Sequence, residues 1–337
     1  MVYVRVLILI FLCSSCENIN RQKNQIDVKH EEWEEKPIKE LPLVKKPTIV
    51  VKKEPTISIL RPKAEKKSPG ENSMNEFCRE LDQKFYQYGW RRPGCGLYKW
   101  KFVRRSFLGR PIAWVHYGEP EHLKANTTIV LCGVHGDEIT PVKFCFDLMS
   151  YLDKRPKLTE GNRIIVAPLV TPDSFFKKYP TRTNARGVDV NRNFPTRDWH
   201  AKAHKMWKHR YRSSKRKYPG KRPMSEQETY FQVNLIKRYK PNKIISVHAP
   251  LTIIDYDGPS AHKDEEAHSL LMQMSKSAKG YKVKNYPYFP GSLGNWAGNM
   301  NNIPTYTLEL PSSDNRESKK FWKLFERAMG YAITHRL

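Results

Sequence analysis

Residues 127–152 constrain the fold more than any other part of the chain. Thr127-Thr-Ile-Val-Leu-Cys132 is β-branched and apolar, the composition of a buried strand. The run breaks at Gly133 and Gly136, then resumes from Ile139 to Leu152 with apolar residues at helical spacing. His135 and Glu138 therefore fall where a strand hands over to a helix. In an open α/β sheet that turn lies at the carboxyl edge of a strand, where sites are built. An imidazole and a carboxylate in one tight turn can reach a single metal ion and leave room for a third ligand and a water. Taken alone the pair is a weak signal, because many surface turns carry both residue types.

The other segments extend the same pattern. Trp100 to Phe107 and Pro111 to Tyr117 read as strands of an antiparallel hairpin joined at Leu108-Gly-Arg110. Arg163 to Val170 is a core strand ending in Thr171-Pro-Asp173, and an irregular stretch follows to about Arg222. Ser225 to Tyr239 is helical, with Ser225 as N-cap and Glu228 completing a capping box. Lys243-Ile-Ile-Ser-Val-His248 is a strand, Glu265 to Lys279 an amphipathic helix, Thr305 to Leu310 a last strand and Ser318 to Thr334 a closing helix. Strands alternating with helices predict an α/β fold: a mixed, largely parallel central sheet flanked by helices on both faces.

The N-terminus is of another kind. Residues 1–16 carry one basic residue, Arg5, then a short apolar core and Ser14-Ser-Cys16, the pattern of a lipoprotein-type signal peptide. Cys16 is expected to become a lipid anchor, and Glu17 after it favours the outer membrane over the inner, placing the chain in the periplasm. Residues 17–75 are rich in Lys, Glu and Pro and cannot bury enough apolar surface to fold, so they read as a flexible tether. The folded domain is expected from residue 76 to 337. Export permits disulfides. Cys78 and Cys95 could be bridged, whereas Cys132 and Cys145, in the core strand and the helix after it, read as buried thiols.

The formal charge of +26 resides in the folded part and is densest between Arg197 and Arg222. That segment would bind phosphate nonspecifically, but export puts nucleic acid in another compartment, so no specific nucleic-acid partner is expected. It is expected instead to hold the chain at an anionic surface without taking part in chemistry. A monomer is expected.

A second histidine gives the first its meaning. Of 11 histidines, only His135 and His248 terminate core strands, so both can lie on one sheet edge. With Glu138 they form a His, Glu, His set with an open fourth position, the arrangement of a catalytic zinc. Glu309 sits inside the apolar run Tyr306-Thr-Leu-Glu-Leu310, where a carboxylate is costly unless it faces a polar cleft. A general base would explain it; an exposed edge is the other reading. Arg182, Arg186, Asn191 and Arg192 share one segment and could stabilise an oxyanion or clamp a carboxylate.

As a set, these residues resemble the zinc carboxypeptidases of the carboxypeptidase A type. The resemblance rests on His135-Gly-Asp-Glu138, Arg186-Gly-Val-Asp-Val-Asn191-Arg192-Asn193, Ser225-Glu-Gln-Glu228, Ser246-Val-His248 and Thr307-Leu-Glu309, in that order. Within that family the chain is most similar to the bacterial murein peptide amidases, and Tyr288-Phe-Pro-Gly-Ser292 resembles their segment before the final strand. The resemblance implies zinc held by His135, Glu138 and His248, with Glu309 as general base and later proton donor. It implies Arg182 polarising the scissile carbonyl, Asn191 and Arg192 binding the carboxylate of the departing residue, and Tyr288, with Tyr286 competing, as the mobile tyrosine. The expected substrates are peptidoglycan stem peptides, cut either at the γ-D-glutamyl–diaminopimelate bond or at a C-terminal residue. A carboxypeptidase acting on protein C-termini and a degenerate wall-binding lipoprotein are the alternatives. Asp255 or Asp257 could meet a diaminopimelate ammonium. Thr171-Pro-Asp-Ser174, Ala249 and the insertion from His200 to Lys221 depart from the family pattern.

Overall fold

A computed structural model describes residues 69–260 and 263–337. The signal peptide and all but the end of the tether lie outside the described residues. Eight strands form one sheet: β1 (Trp100–Arg105), β2 (Pro111–Gly118), β3 (Asn126–Leu131), β4 (Asn162–Ala167), β5 (Lys243–His248), β6 (Ile253–Asp257), β7 (Val283–Lys284) and β8 (Thr305–Glu309). Their order is β1-β2-β4-β3-β5-β8-β6-β7. The central run β4-β3-β5-β8 is parallel, whereas β1-β2, β2-β4 and β6-β8 are antiparallel. The sheet is thus mixed and largely parallel, as expected. The β1-β2 hairpin forms as read, and β6 and β7, which are short and rich in charge, are additions.

Helices α1 (Pro69–Gln87), α2 (Ile139–Asp153), α3 (Pro172–Phe175), α4 (His204–His209), α5 (Gln227–Tyr239), α6 (Glu265–Ser277) and α7 (Ser318–Thr334) complete the domain. α1 begins ahead of Glu76, so the last residues read as tether are helical. Side chains alternate across each strand. Val130 and Cys132 therefore join a core with Phe77, Leu81 and Phe85 of α1, Phe144 and Leu148 of α2, Leu270 of α6 and Phe325 of α7. Ile129 and Leu131 point the other way, to Phe231, Leu235 and Ile236 of α5 and Trp296 of the turn Gly294–Met300. Strands covered on both faces explain the nearly continuous apolar runs of β3, β4 and β5.

Two expectations are corrected. Cys132 and Cys145 are not free thiols but a disulfide, with Cα atoms 6.3 Å apart. The tight turn after β3 folds α2 back over its own strand, bringing the two residues into bridging range. Cys78 and Cys95 are bridged as well. The capping box on α5 does not form: the helix begins at Gln227. Ser225 instead accepts from Asn193 Nδ2 at 3.1 Å, and Glu228 accepts from Asn184 Nδ2 at 3.0 Å, so both groups hold the preceding loop.

Candidate active site

The carboxyl edge of the parallel strands carries the site. Gly136 lets the turn between β3 and α2 pack directly on α3, because a Cβ there would sit 2.5 Å from Ser174 Cβ. That close approach directs His135 and Glu138 inward. His248 ends β5 and is paired in register with Glu309 at the end of β8. The Glu138 carboxylate lies between the imidazoles, Oε1 2.7 Å from His135 Nδ1 and Oε2 2.8 Å from His248 Nδ1. Ligand atoms of His135, Glu138 and His248 all lie within 4.8 Å of one another, and all three residues are buried.

The outer nitrogens of the two rings are also engaged. His135 Nε2 is 3.0 Å from Asp189 Oδ1, and His248 Nε2 is 2.9 Å from Ser246 Oγ. Partners on the far side fix each ring and leave Nδ1 to face the metal position. Two imidazoles, one carboxylate and an open side suit a catalytic zinc. Burial alone would push the Glu138 carboxyl up, but the two histidines outweigh it and hold the group well below the usual range. The buried Asp189 carboxyl is likewise held low, burial being overcome by Arg182 and His135. Arg182 donates from Nη1 to Glu138 and from Nε to Asp189, both at 3.0 Å, and Nη2 makes no hydrogen bond among the described residues. Glu309 Oε2 accepts from Leu251 N at 3.3 Å, and burial raises the Glu309 carboxyl above the usual range.

These groups share a cleft of about 480 Å³ with Asn191, Arg192, Tyr286 and Tyr288. Asn191 Oδ1 accepts from Leu293 N at 2.8 Å, and Arg192 Nη1 donates to Asn191 O at 2.6 Å. Asp255 and Asp257, alternate residues on one face of β6, line the same cleft. Burial, and then the Asp255 charge, push the Asp257 carboxyl up to about 7. Arg186 is not part of the site; it is half-exposed, with Nε 3.7 Å from Glu226.

The basic insertion, expected to remain apart from the chemistry, forms one wall. Arg210, Tyr211 and Lys217 line the cleft. The insertion is tied down from within: Trp199 Nε1 donates to Arg192 O at 2.9 Å, Asp189 N to Tyr218 O at 2.8 Å, and Arg216 Nη1 to Asp137 at 2.6 Å. Its aromatic residues, which pack among themselves through His204, Trp207 and Tyr218, are what make it a folded wall instead of a solvated arm. The other residue without an assigned role in the sequence is Asp189. An acid between two valines, Val188-Asp-Val190, was the available signal.

Comparison with known proteins agrees with this geometry. The family model for zinc carboxypeptidases matches residues 97–327. Murein peptide amidase A of Escherichia coli (strain K12) is 30% identical over 220 residues, covering 64% of this chain and 83% of that protein. Murein peptide amidase A of Vibrio campbellii is 29% identical over 211 residues, covering 61% of this chain and 77% of that protein. The structure of bovine thrombin-activatable fibrinolysis inhibitor in complex with tick carboxypeptidase inhibitor aligns with a TM-score of 0.61 at 17% identity, over 78% of this chain and 96% of that one; it supports the fold alone. A match of that extent, with a His135, Glu138 and His248 set that can take the metal, shows that the chain belongs to the zinc carboxypeptidase family and is a zinc metallopeptidase.

Proposed function

We propose that this enzyme hydrolyses peptidoglycan stem peptides at the amide bond before a terminal diamino acid, the γ-D-glutamyl–diaminopimelate bond. The observation that carries the reading is the make-up of the cleft: a carboxylate-binding pair, Asn191 and Arg192, faces the same space as two acids, Asp255 and Asp257. A departing residue with both a carboxylate and a side-chain ammonium satisfies both. The amidases of E. coli and V. campbellii, named for murein peptides, support the same substrate class. A carboxypeptidase selecting neutral side chains would need no acid pair at this position.

Zinc bound by His135, Glu138 and His248 would polarise a water and lower its pKa toward neutrality. Glu309 is placed to take a proton from the attacking water and return it to the departing amine. Its raised pKa suits a group that must hold that proton between the two steps. Arg182 keeps Nη2 for the oxyanion that develops on the scissile carbonyl. Asn191 and Arg192 hold the carboxylate of the departing residue, and Tyr286 and Tyr288 can close over it. Incubation with defined muropeptides, read by product mass, should release diaminopimelate or a peptide beginning with it. Release of ordinary C-terminal residues from proteins, with muropeptides untouched, would overturn the reading.

We place the enzyme in the periplasm, tethered by lipid on Cys16 and held at the outer membrane. The signal-like residues 1–16 and two disulfides, which need an oxidising compartment, support this. Mass spectrometry of the mature chain should find an acylated Cys16 at the N-terminus, and another, unmodified start would remove the anchor.

A further inference from the structure

Among the described residues, Arg192, Arg210 and Lys217 line the cleft with no carboxylate partner. Arg192 is 9% exposed, yet its buried Nε has no hydrogen-bond partner among the described residues. Among the described residues its only side-chain hydrogen bond is from Nη1 to the neighbouring Asn191 carbonyl. The Arg192 and Arg210 guanidinium groups lie 4.7 Å and 5.5 Å from the same Phe289 ring, so Phe289 holds the two near each other. Lys217 is half-buried on the same wall, with its ammonium 5.9 Å from the Tyr211 ring. Among the described residues none of these three cations has a carboxylate within 4.0 Å, whereas Arg182 has two. Withdrawing Arg192, and in part Lys217, from water near a third cation is costly unless an anion joins them. Burial, and then the Arg182 and Arg192 charges, lower the Lys217 ammonium to about 8. The acids of the metal end, Asp189 and Glu138, offset this only in part, and both are already hydrogen-bonded among His135, His248 and Arg182.

We propose that Arg210 and Lys217 form a second anion subsite beside Arg192, so that the preferred substrate carries another carboxylate in addition to the one that Arg192 takes. The inference rests on the reading of Asn191 and Arg192 as the clamp for the departing residue, and it goes further in assigning work to the insertion. Two parts of a stem peptide could present the extra carboxylate: the free α-carboxylate of a γ-linked glutamyl residue on the acyl side, or the distal carboxylate of the departing diamino acid. Either one would reach a flexible ammonium and an exposed guanidinium more readily than a buried, rigid pair. A neutral peptide would leave three like charges together on one side of the cleft.

The test is equilibrium binding to the zinc-loaded full chain carrying Glu309→Gln, which slows turnover during the measurement. Three probes are compared: L-alanyl-γ-D-glutamyl-meso-diaminopimelate, its glutamyl α-carboxamide, and the analogue with lysine in place of diaminopimelate. Adding Arg210→Gln and Lys217→Gln should weaken the parent peptide by about tenfold more than one of the two analogues. The analogue that escapes the loss identifies which carboxylate the subsite holds. Equal loss on all three probes, no loss on any, or no binding of any would overturn the subsite. Arg210→Gln alone, at an exposed position, guards against misfolding and should show the same selectivity in smaller degree. Wild-type chain that binds the parent selectively but does not cut it would count against the proposed reaction and leave the subsite standing.

Discussion

At the metal end of the cleft every buried charge is answered from within the chain. His135, His248, Glu138, Asp189 and Arg182 form a closed set of contacts between 2.7 and 3.0 Å. At the insertion end Arg192, Arg210 and Lys217 line the cleft with, among the described residues, no carboxylate within 4.0 Å, and Asp255 and Asp257 line the same cleft with raised pKa. The first arrangement is rigid before anything binds, as a site that must hold a metal and orient a water requires. The second is energetically incomplete, which is expected where the missing charges arrive with the substrate. Chemistry and selectivity are thus separated along one cleft, and substitutions at the two ends should differ in kind.

The largest effect is expected at Glu309. Glu309→Gln preserves size and leaves the three metal ligands intact, so it should lower kcat by about a hundredfold or more with little change in KM. Steady-state kinetics with near-normal kcat would mean that another group moves the proton. Asp189→Asn comes next. It weakens the hold on His135 Nε2 and Arg182 Nε together, so zinc affinity should fall by about 10- to 100-fold, measured by competition with a chelator. Unchanged affinity would show that the closed set of contacts is not what fixes the ligands.

The smallest of the three sharpens the contrast from the substrate end. With its pKa near 7, the Asp257 carboxyl is ionised above that pH and neutral below it. Pairing with a substrate ammonium needs the ionised form, so KM for substrates with an amino side chain should rise as pH falls through about 7, by roughly tenfold at most. Substrates with a neutral side chain should not show this dependence, and Asp257→Asn should abolish it. The same pH profile for both substrate types would remove Asp257 from side-chain recognition.

The metal set was legible in the sequence because two histidines end apolar runs, and an apolar run long enough to be a core strand fixes where its last residue lies. Glu309 was legible for the related reason that a carboxylate within an apolar strand needs a polar cleft to face. The insertion misled. Its density of Lys and Arg resembles a solvated surface, and only Trp199, Trp207 and Tyr218, read as a packing core, would have shown that it folds against the cleft.

The sequence by itself determined the order of elements, the parallel core and the three residues that can take zinc. Each of these depends on short-range pattern: periodicity, turn glycines and the residue at a strand end. Tertiary structure alone decided that Cys132 and Cys145 are bridged, that Asp189 joins His135 to Arg182, and that Asp255 and Asp257 line one cleft with Arg210 and Lys217. Those outcomes depend on distances between segments far apart in the chain. No local pattern encodes such distances; they are set when the two faces of the sheet are covered and the loops at its carboxyl edge are packed together.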